Sequence, residues 1–123
     1  MPSSLSFVRI GTSSQSETDL APWPWNANDV LLSEGMKPVG HKSYEGRGLT
    51  LGTWACNKGA VEIQGHALDE ACFITRGSVT LTDSEGRSET FGAGEGFLLP
   101  RGFRGTWAQS DDFAKLFVAI SRD

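Results

Sequence analysis

The chain has 123 residues, a formal net charge of −4 and a hydrophobic content of 38%, which are the proportions of one globular domain. The acidic balance and the scattered Lys and Arg residues argue against binding to nucleic acid, which requires a clustered basic surface. No apolar stretch approaches the length that crosses a bilayer, and the first eleven residues do not resemble a secretory leader, so we expect a cytoplasmic protein without membrane partners.

The first part of the chain, residues 1–48, is expected to form an arm and edge strands of the same domain. Residues 11–19 are polar and small, which predicts a loop. The next stretch, 21–25, contains two prolines that favour extended backbone, together with Trp23 and Trp25. These two rings offer much apolar area, which covers either an open end of the core or a neighbouring subunit.

Regular alternation begins at residue 49 and continues to the end of the chain. Short runs of β-branched and aromatic residues alternate with turns rich in Gly, Asp and Asn, which is typical of strands. The predicted strands are 49–56, 60–64, 70–75, 78–82, 87–91, 94–100 and 112–120. Residues 66–71 have helical propensity, but their place between Gly65 and a β-rich run favours entry into a strand. Short strands without helices predict an antiparallel barrel or sandwich, whether jelly roll, immunoglobulin-like or lipocalin-like.

Two glycine-punctuated segments resemble the paired motifs of the cupin superfamily. The first runs from Glu70 to Gly77 and begins with a glutamate. The second runs from Gly94 to Gly102 and brackets one apolar strand between a glycine and a Pro-x-Gly turn. The resemblance implies an all-β, single-domain cupin, that is, an RmlC-like jelly roll or double-stranded β-barrel, with residues 49–123 as the core barrel.

A narrower resemblance is to the small cupins grouped with ureidoglycine aminohydrolase and the ethanolamine-utilisation cupin. It is carried by Gly52-Thr53-Trp54, by the run 103–107 after the Pro-x-Gly turn, and by Lys115 in the last strand. Many members of that group have no assigned activity, so the resemblance implies the fold more strongly than a reaction. Because cupin barrels commonly pair, it also implies a homodimer.

The resemblance also implies where a metal would bind. A metal-binding cupin offers His-x-His and then Glu in the first motif, and a further His in the second. Here His66 and Glu70 stand at two of these positions, whereas Gln64 and Gly105 stand at the other two. A tight site for Zn²⁺, Mn²⁺ or Fe²⁺ requires three or four N, O or S ligands. We therefore expect at most a weakly bound divalent metal, held by His66, Glu70 and Gln64.

A charged pair is predicted on the inner wall of the barrel. The two-residue period of a strand places Glu70 and Cys72 on one face, and in the cupin arrangement that face looks inward. A carboxylate on an apolar wall needs a partner, and Lys115 is conspicuous in an otherwise apolar strand. Glu70 and Lys115 are thus candidate catalytic residues, an acid–base couple; the alternative is an ion pair that only stabilises the barrel.

Four further residues are candidates for contact with a substrate. Trp54 and Trp107 each follow a Gly-Thr pair and form either walls of the pocket or part of the core. Cys72 is expected to face inward like Glu70, because the two lie two residues apart in one strand, and His66 is the histidine nearest to Cys72 in sequence.

The sequence leaves three functions open. The first is an enzyme that acts on a small polar metabolite, with Glu70 as acid or base and little or no metal. The second is a non-catalytic barrel that binds or senses a small-molecule ligand. The third is a dimeric accessory protein whose main role is association.

Overall fold

The computed structural model of the protein describes residues 6–10 and 20–121. The predicted loop 11–19 lies outside these residues. The described part of the chain forms β-strands and contains no helix that is long and apolar enough to cross a membrane. The strands are β1 (Ala21–Pro22), β2 (Asp29–Leu31), β3 (Val39–Gly46), β4 (Leu49–Cys56), β5 (Gly59–Gln64), β6 (Asp69–Arg76), β7 (Ser78–Asp83), β8 (Ser88–Gly92), β9 (Gly96–Leu99), β10 (Arg104–Gln109) and β11 (Phe113–Ile120).

The strands form two antiparallel sheets. The six-stranded sheet has the order β1-β3-β4-β11-β6-β9, and the five-stranded sheet has the order β2-β5-β10-β7-β8. Consecutive strands such as β5 and β6 lie in different sheets, and the last strand, β11, is inserted between β4 and β6. These crossovers are those of a jelly roll, so the predicted all-β jelly-roll fold is confirmed.

The strands predicted from residue 49 onward are all present, with bounds within two residues of the prediction. The sequence patterns missed β10 and gave no bounds for β1, β2 or β3. The strand β3 is rich in polar residues and glycine, and β10 contains a glycine and an arginine, so neither has the apolar alternation that identifies a strand. Both are strands because they pair with β4, β5 and β7.

The core lies between the inner faces of the two sheets. Its centre is a group of three rings, Trp54 from the six-stranded sheet, Trp107 from the five-stranded sheet and Phe113 at the start of β11. Their centroids lie 5.8–6.2 Å apart in edge-to-face geometry, the arrangement that aromatic pairs prefer. Trp54 and Trp107 are therefore part of the core.

The arm that precedes β2 covers one end of this core. Trp23 packs edge-on against Phe117 at a centroid distance of 5.8 Å, and Trp25 packs in the same way against Trp54 at 6.1 Å. Of the two interpretations of the 21–25 segment, the structure therefore shows that it covers the open end of the core.

Gly105 allows β10 to lie in the middle of the five-stranded sheet. A Cβ atom at this position would collide with the carbonyl oxygen of Thr82 and would lie 2.9 Å from the ring of Phe103. The position that holds a histidine in metal-binding cupins is therefore closed to any larger side chain by the packing of the neighbouring strand.

We predict that Gly105→Ala lowers the free energy of unfolding by about 1–3 kcal/mol, the usual cost of inserting a methyl group into a closely packed site. Urea denaturation followed by tryptophan fluorescence measures the change. Thr106→Ala, one residue along the same strand, is the control and should change stability by less than about 1 kcal/mol. Equal stability of Gly105→Ala and the wild type would show that β10 does not approach β7 this closely.

Candidate functional site

A cavity of about 370 Å³ lies between the two sheets beneath the 21–26 segment. This volume is within the range of pockets that bind small molecules. Its aromatic wall is formed by Trp23, Trp25, Trp54, Trp107 and Phe117, and its aliphatic wall mainly by Val61, Ile63, Leu68 and Leu99. The ionisable side chains along it are Asp29, Lys42, Glu45, His66, Glu70 and Lys115.

Glu70 is the centre of a buried polar cluster on the inner wall. Its Oε2 atom accepts a hydrogen bond of 2.6 Å from Nζ of Lys115 and one of 3.2 Å from Sγ of Cys72. Its Oε1 atom lies 2.9 Å from Nε2 of His66. Strand pairing produces this cluster: β6 and β11 are neighbours, Cys72 lies opposite Phe117, and Lys115 extends along the inner face toward Glu70. The predicted pairing of Glu70 with Lys115 is therefore present in the structure.

Three aromatic rings surround the ammonium group of Lys115. Its Nζ atom lies 4.7 Å from the ring centroid of Trp107, 5.2 Å from that of Trp54 and 5.7 Å from that of Phe117. Rings at these distances attract a cation through their quadrupoles. Lys115 is thus held by one carboxylate and by an aromatic cage, which compensates for the loss of its hydration shell.

The pKa shifts of the cluster show which forms are populated. Burial would raise the pKa of Glu70, but the charge of Lys115 and hydrogen bonds from His66 and Lys115 outweigh it and hold this pKa well below its usual range. Burial alone would lower the pKa of Lys115, but its contacts with Cys72 and Glu70 raise it. Burial raises the pKa of the Cys72 thiol to about 12. At neutral pH the cluster therefore contains a carboxylate, an ammonium group and a protonated thiol.

His66 is placed by the loop that precedes β6. The backbone N–H groups of Gly65 and His66 both donate to the carbonyl oxygen of Phe103, and the N–H of Gly102 donates to the carbonyl oxygen of His66. These bonds join the loop to the Pro-x-Gly turn of the second motif. Because Nε2 faces the carboxylate of Glu70, it carries a proton and donates. Nδ1 is buried and has no hydrogen-bond partner.

Gln64 does not join this cluster, contrary to its prediction as a candidate metal ligand. Its side chain is exposed on the outer face of β5, where Nε2 donates to Glu62. Gly65, with a φ of 100°, interrupts the two-residue period of the strand, so that His66 faces inward although Gln64 faces outward.

The side chains present do not fit a divalent metal ion. Two of the four expected ligand positions provide none, since Gln64 faces outward and Gly105 has no side chain. Both oxygens of Glu70 already accept hydrogen bonds, and the ammonium group of Lys115 supplies the positive charge beside them. Within residues 6–10 and 20–121, no three His, Cys, Asp or Glu side chains are arranged to hold a metal.

Cys72 is not a wall of the cavity, contrary to its prediction as a substrate contact. Its side chain is fully buried, with 0% exposure, behind the pair formed by Glu70 and Lys115. The other predicted site residues, His66, Trp54 and Trp107, do line the cavity together with that pair.

The sequence patterns missed three ionisable residues of the cavity, Lys42 and Glu45 of β3 and Asp29 of β2. Asp29 lies opposite Ile63 of β5 and so shares the inner face with that residue. Its Oδ2 atom accepts a hydrogen bond of 3.3 Å from the N–H of Asn26. The three residues of β2 are too few to show a period, so the sequence carried no signal that would place Asp29 in the cavity.

The family model for the EutQ-like cupin domain matches residues 45–117, more than half of the chain. The chain belongs to the EutQ-like cupin family. The match covers the strands that carry Trp54, Glu70 and Trp107, and it includes Lys115 of β11. No curated protein matches this EutQ-like cupin.

Several solved structures are similar in fold. The EutQ protein of Clostridium difficile shares 15% identity with a TM-score of 0.62, and the match covers 72% of this chain and 71% of that one. A protein of unknown function from Pseudomonas syringae pv. tomato shares 20% identity with a TM-score of 0.70, covering 81% of this chain and 43% of that one. A cupin superfamily protein from Desulfitobacterium hafniense shares 10% identity with a TM-score of 0.60, covering 69% and 78%. At these identities the similarity shows the fold alone.

We predict that Lys115→Met destabilises this EutQ-like cupin by about 3–5 kcal/mol, because it leaves the carboxylate of Glu70 buried without its cation. The double variant Glu70→Gln/Lys115→Met should lose less than the sum of the two single variants, with a coupling of about 1–3 kcal/mol. Urea denaturation at pH 7 measures all four proteins. Additive losses would contradict a direct interaction between the two side chains.

Acid unfolding provides a control for the same pair. Folding lowers the pKa of Glu70 below its ordinary value of 4.5. As the pH falls through 4.5, Glu70 is therefore protonated in the unfolded chain before it is protonated in the folded protein, and the stability that the ionised Glu70 contributes is progressively lost. The loss of stability between pH 5 and pH 3 should therefore be smaller in Glu70→Gln than in the wild type. If Glu70→Gln and the wild type lost the same stability between pH 5 and pH 3, this would contradict an ionised Glu70 in the folded protein.

Proposed function

We propose that this EutQ-like cupin binds a small metabolite in the interior of its barrel. The observation that carries the proposal is a cavity whose wall combines aromatic rings with a buried ion pair. Rings alone would be an ordinary core, and the ion pair alone would be a structural element. A cavity of about 370 Å³ lined by both offers apolar area for a ligand body and a few polar groups to orient it.

The states of the buried groups favour recognition over catalysis. A general acid or base works best when its pKa lies near the working pH, whereas the pKa of Glu70 is held far below neutrality by Lys115 and His66. Cys72 stays a thiol and so lacks the thiolate that a nucleophile requires. Lys115 stays an ammonium group and so lacks the free amine that attacks a carbonyl. An acid–base role for Glu70 would require the ligand to separate it from Lys115.

We predict that at least one member of a metabolite panel raises the melting temperature of the wild-type protein in a thermal shift assay. Binding at a hundredfold excess over Kd stabilises the folded state by about 2.7 kcal/mol. The effect should be lost in Ala119→Phe, because Ala119 lines the cavity beside Glu70 and the added ring would occupy the space next to the ion pair. Ala108→Phe, at an exposed position of β10, is the control and should respond like the wild type.

Two results would contradict the proposal. One is a panel in which no small molecule stabilises the wild-type protein. The other is an equal response of the wild type and Ala119→Phe, which would place the ligand outside the barrel.

We further propose that the outer face of the six-stranded sheet binds a second copy of the chain. One row of apolar side chains crosses five neighbouring strands of this face, because their residues are paired in register. The row consists of Tyr44, Leu51, Val118, Ala71 and Leu98. Beside it, Phe73 is 51% exposed and Leu98 itself is 63% exposed. The row has no charged side chain although the chain carries a net charge of −4, so two copies related by a two-fold axis meet here without charge repulsion.

We predict that the protein elutes with twice the mass of the chain in size-exclusion chromatography with light scattering. Leu98→Lys should elute as a monomer, because each copy would bury an ammonium group without a partner in the interface. Leu32→Lys, which changes an exposed leucine outside the row, is the control and should remain dimeric. A monomeric wild type, or a dimeric Leu98→Lys, would contradict this interface.

A further inference from the structure

The acidic and basic side chains of the cavity do not balance. Apart from His66, which lies against Glu70, five of them line it, and four of these five form two ion pairs. Lys42 and Glu45, at the exposed mouth, are 3.1 Å apart, and Lys115 and Glu70, at the inner wall, are 2.6 Å apart. The fifth is Asp29. Within the described part of the chain, the cavity therefore carries one carboxylate without a cationic partner.

The surroundings of Asp29 show that this carboxylate is not simply solvated surface. It is half-buried on the inner face of β2, and its cross-strand neighbour is the apolar side chain of Ile63. Its Oδ2 atom has one backbone donor, the N–H of Asn26, at a long 3.3 Å. Among the described residues no side chain donates a hydrogen bond to it. Burial raises the pKa of Asp29, and the nearby carboxylate of Glu70 adds to this shift. The hydrogen bond from the N–H of Asn26 and the electrostatic effect of the His66 ring oppose it.

The rest of the cavity also favours a positively charged ligand. Asp29 shares it with the aromatic side chains of Trp23, Trp25 and Trp54, together with two further rings. The faces of such rings carry negative potential and attract organic cations. The one cation at the inner wall, Lys115, is already held by Glu70, by Cys72 and by three ring contacts. A ligand anion would gain little from Lys115 and would be repelled by Asp29.

We propose that the cavity is a site for a small organic cation, an amine with a compact apolar body, and that Asp29 is its counter-charge. This inference rests on the proposed binding function and gives its ligand class. The ammonium group of the ligand would donate to the free oxygen of Asp29, and its apolar body would lie among the tryptophans. Glu70 and Lys115 would form a net-neutral wall that leaves the charge of Asp29 to decide the preference.

Three probes with the same ring test the charge preference: phenethylamine, 2-phenylethanol and 3-phenylpropionate, which at pH 7.5 are cationic, neutral and anionic. Isothermal titration calorimetry gives Kd for each probe against the wild type, Asp29→Asn and Glu34→Gln. Glu34 is an exposed carboxylate that does not line the cavity, so Glu34→Gln makes the same change in net charge elsewhere.

We expect the wild type to bind phenethylamine about five- to tenfold more tightly than 2-phenylethanol, as one partly screened ion pair would provide. Asp29→Asn should bind the amine and the alcohol equally, whereas Glu34→Gln should keep the preference. Asp29→Asn should also fold at least as well as the wild type, because it removes a carboxylate whose ionisation burial opposes. Its melting temperature therefore distinguishes a lost counter-charge from a lost fold.

Two results would overturn the inference. A preference for the alcohol or the carboxylate would do so while leaving the proposed binding function intact, because the cavity would still bind a small molecule. Failure of phenethylamine to bind would also overturn it, and the metabolite panel would then decide the binding function by itself.

Discussion

The ion pair between Lys115 and Glu70 is the interaction on which the interior of this barrel depends. An ammonium group and a carboxylate this deeply buried are tolerated only when each compensates the other and their remaining hydrogen-bonding capacity is satisfied. Here Glu70 also binds His66 and Cys72, and Lys115 is enclosed by Trp54, Trp107 and Phe117. Both members of the pair belong to the six-stranded sheet, and the contact of Lys115 with Trp107 of β10 joins them to the five-stranded sheet.

The same pair explains why this EutQ-like cupin does not need the ligand set of a metal-binding relative. A metal ion would supply positive charge to neutralise the first-motif glutamate, and in this chain the ammonium group of Lys115 supplies that charge. The other changes agree with this replacement: Gln64 faces outward, and Gly105 permits an approach of β7 that a histidine would block. The outward Gln64, the bare Gly105 and the inward Lys115 are thus parts of one arrangement of the wall.

Much of the fold and part of the site could be predicted from the sequence, for reasons that particular residues show. Strands from residue 49 onward alternate apolar and polar side chains, so their bounds follow from the period. The position of Lys115 in an apolar strand and that of Glu70 at a strand start predicted that the two side chains pair, because a buried charge needs a partner. Three features were beyond this reasoning: β10 has no clear alternation, Gly65 reverses the parity between Gln64 and His66, and β2 is too short for a period. Each depends on contacts distant in sequence or on one backbone angle.

Asp29 differs from Glu70 because no cationic side chain forms an ion pair with it among the described residues. Glu70 is buried more deeply, yet its pKa falls because Lys115 and His66 stabilise its ionised form. The pKa of Asp29 rises because the N–H of Asn26 and the more distant His66 offset its burial only in part. A fold retains an uncompensated, half-buried carboxylate at a cost in stability, and such costs are concentrated where a ligand will later supply the missing partner. The pair at the inner wall of the barrel is therefore electrostatically complete, and the unbalanced charge lies on β2, at Asp29.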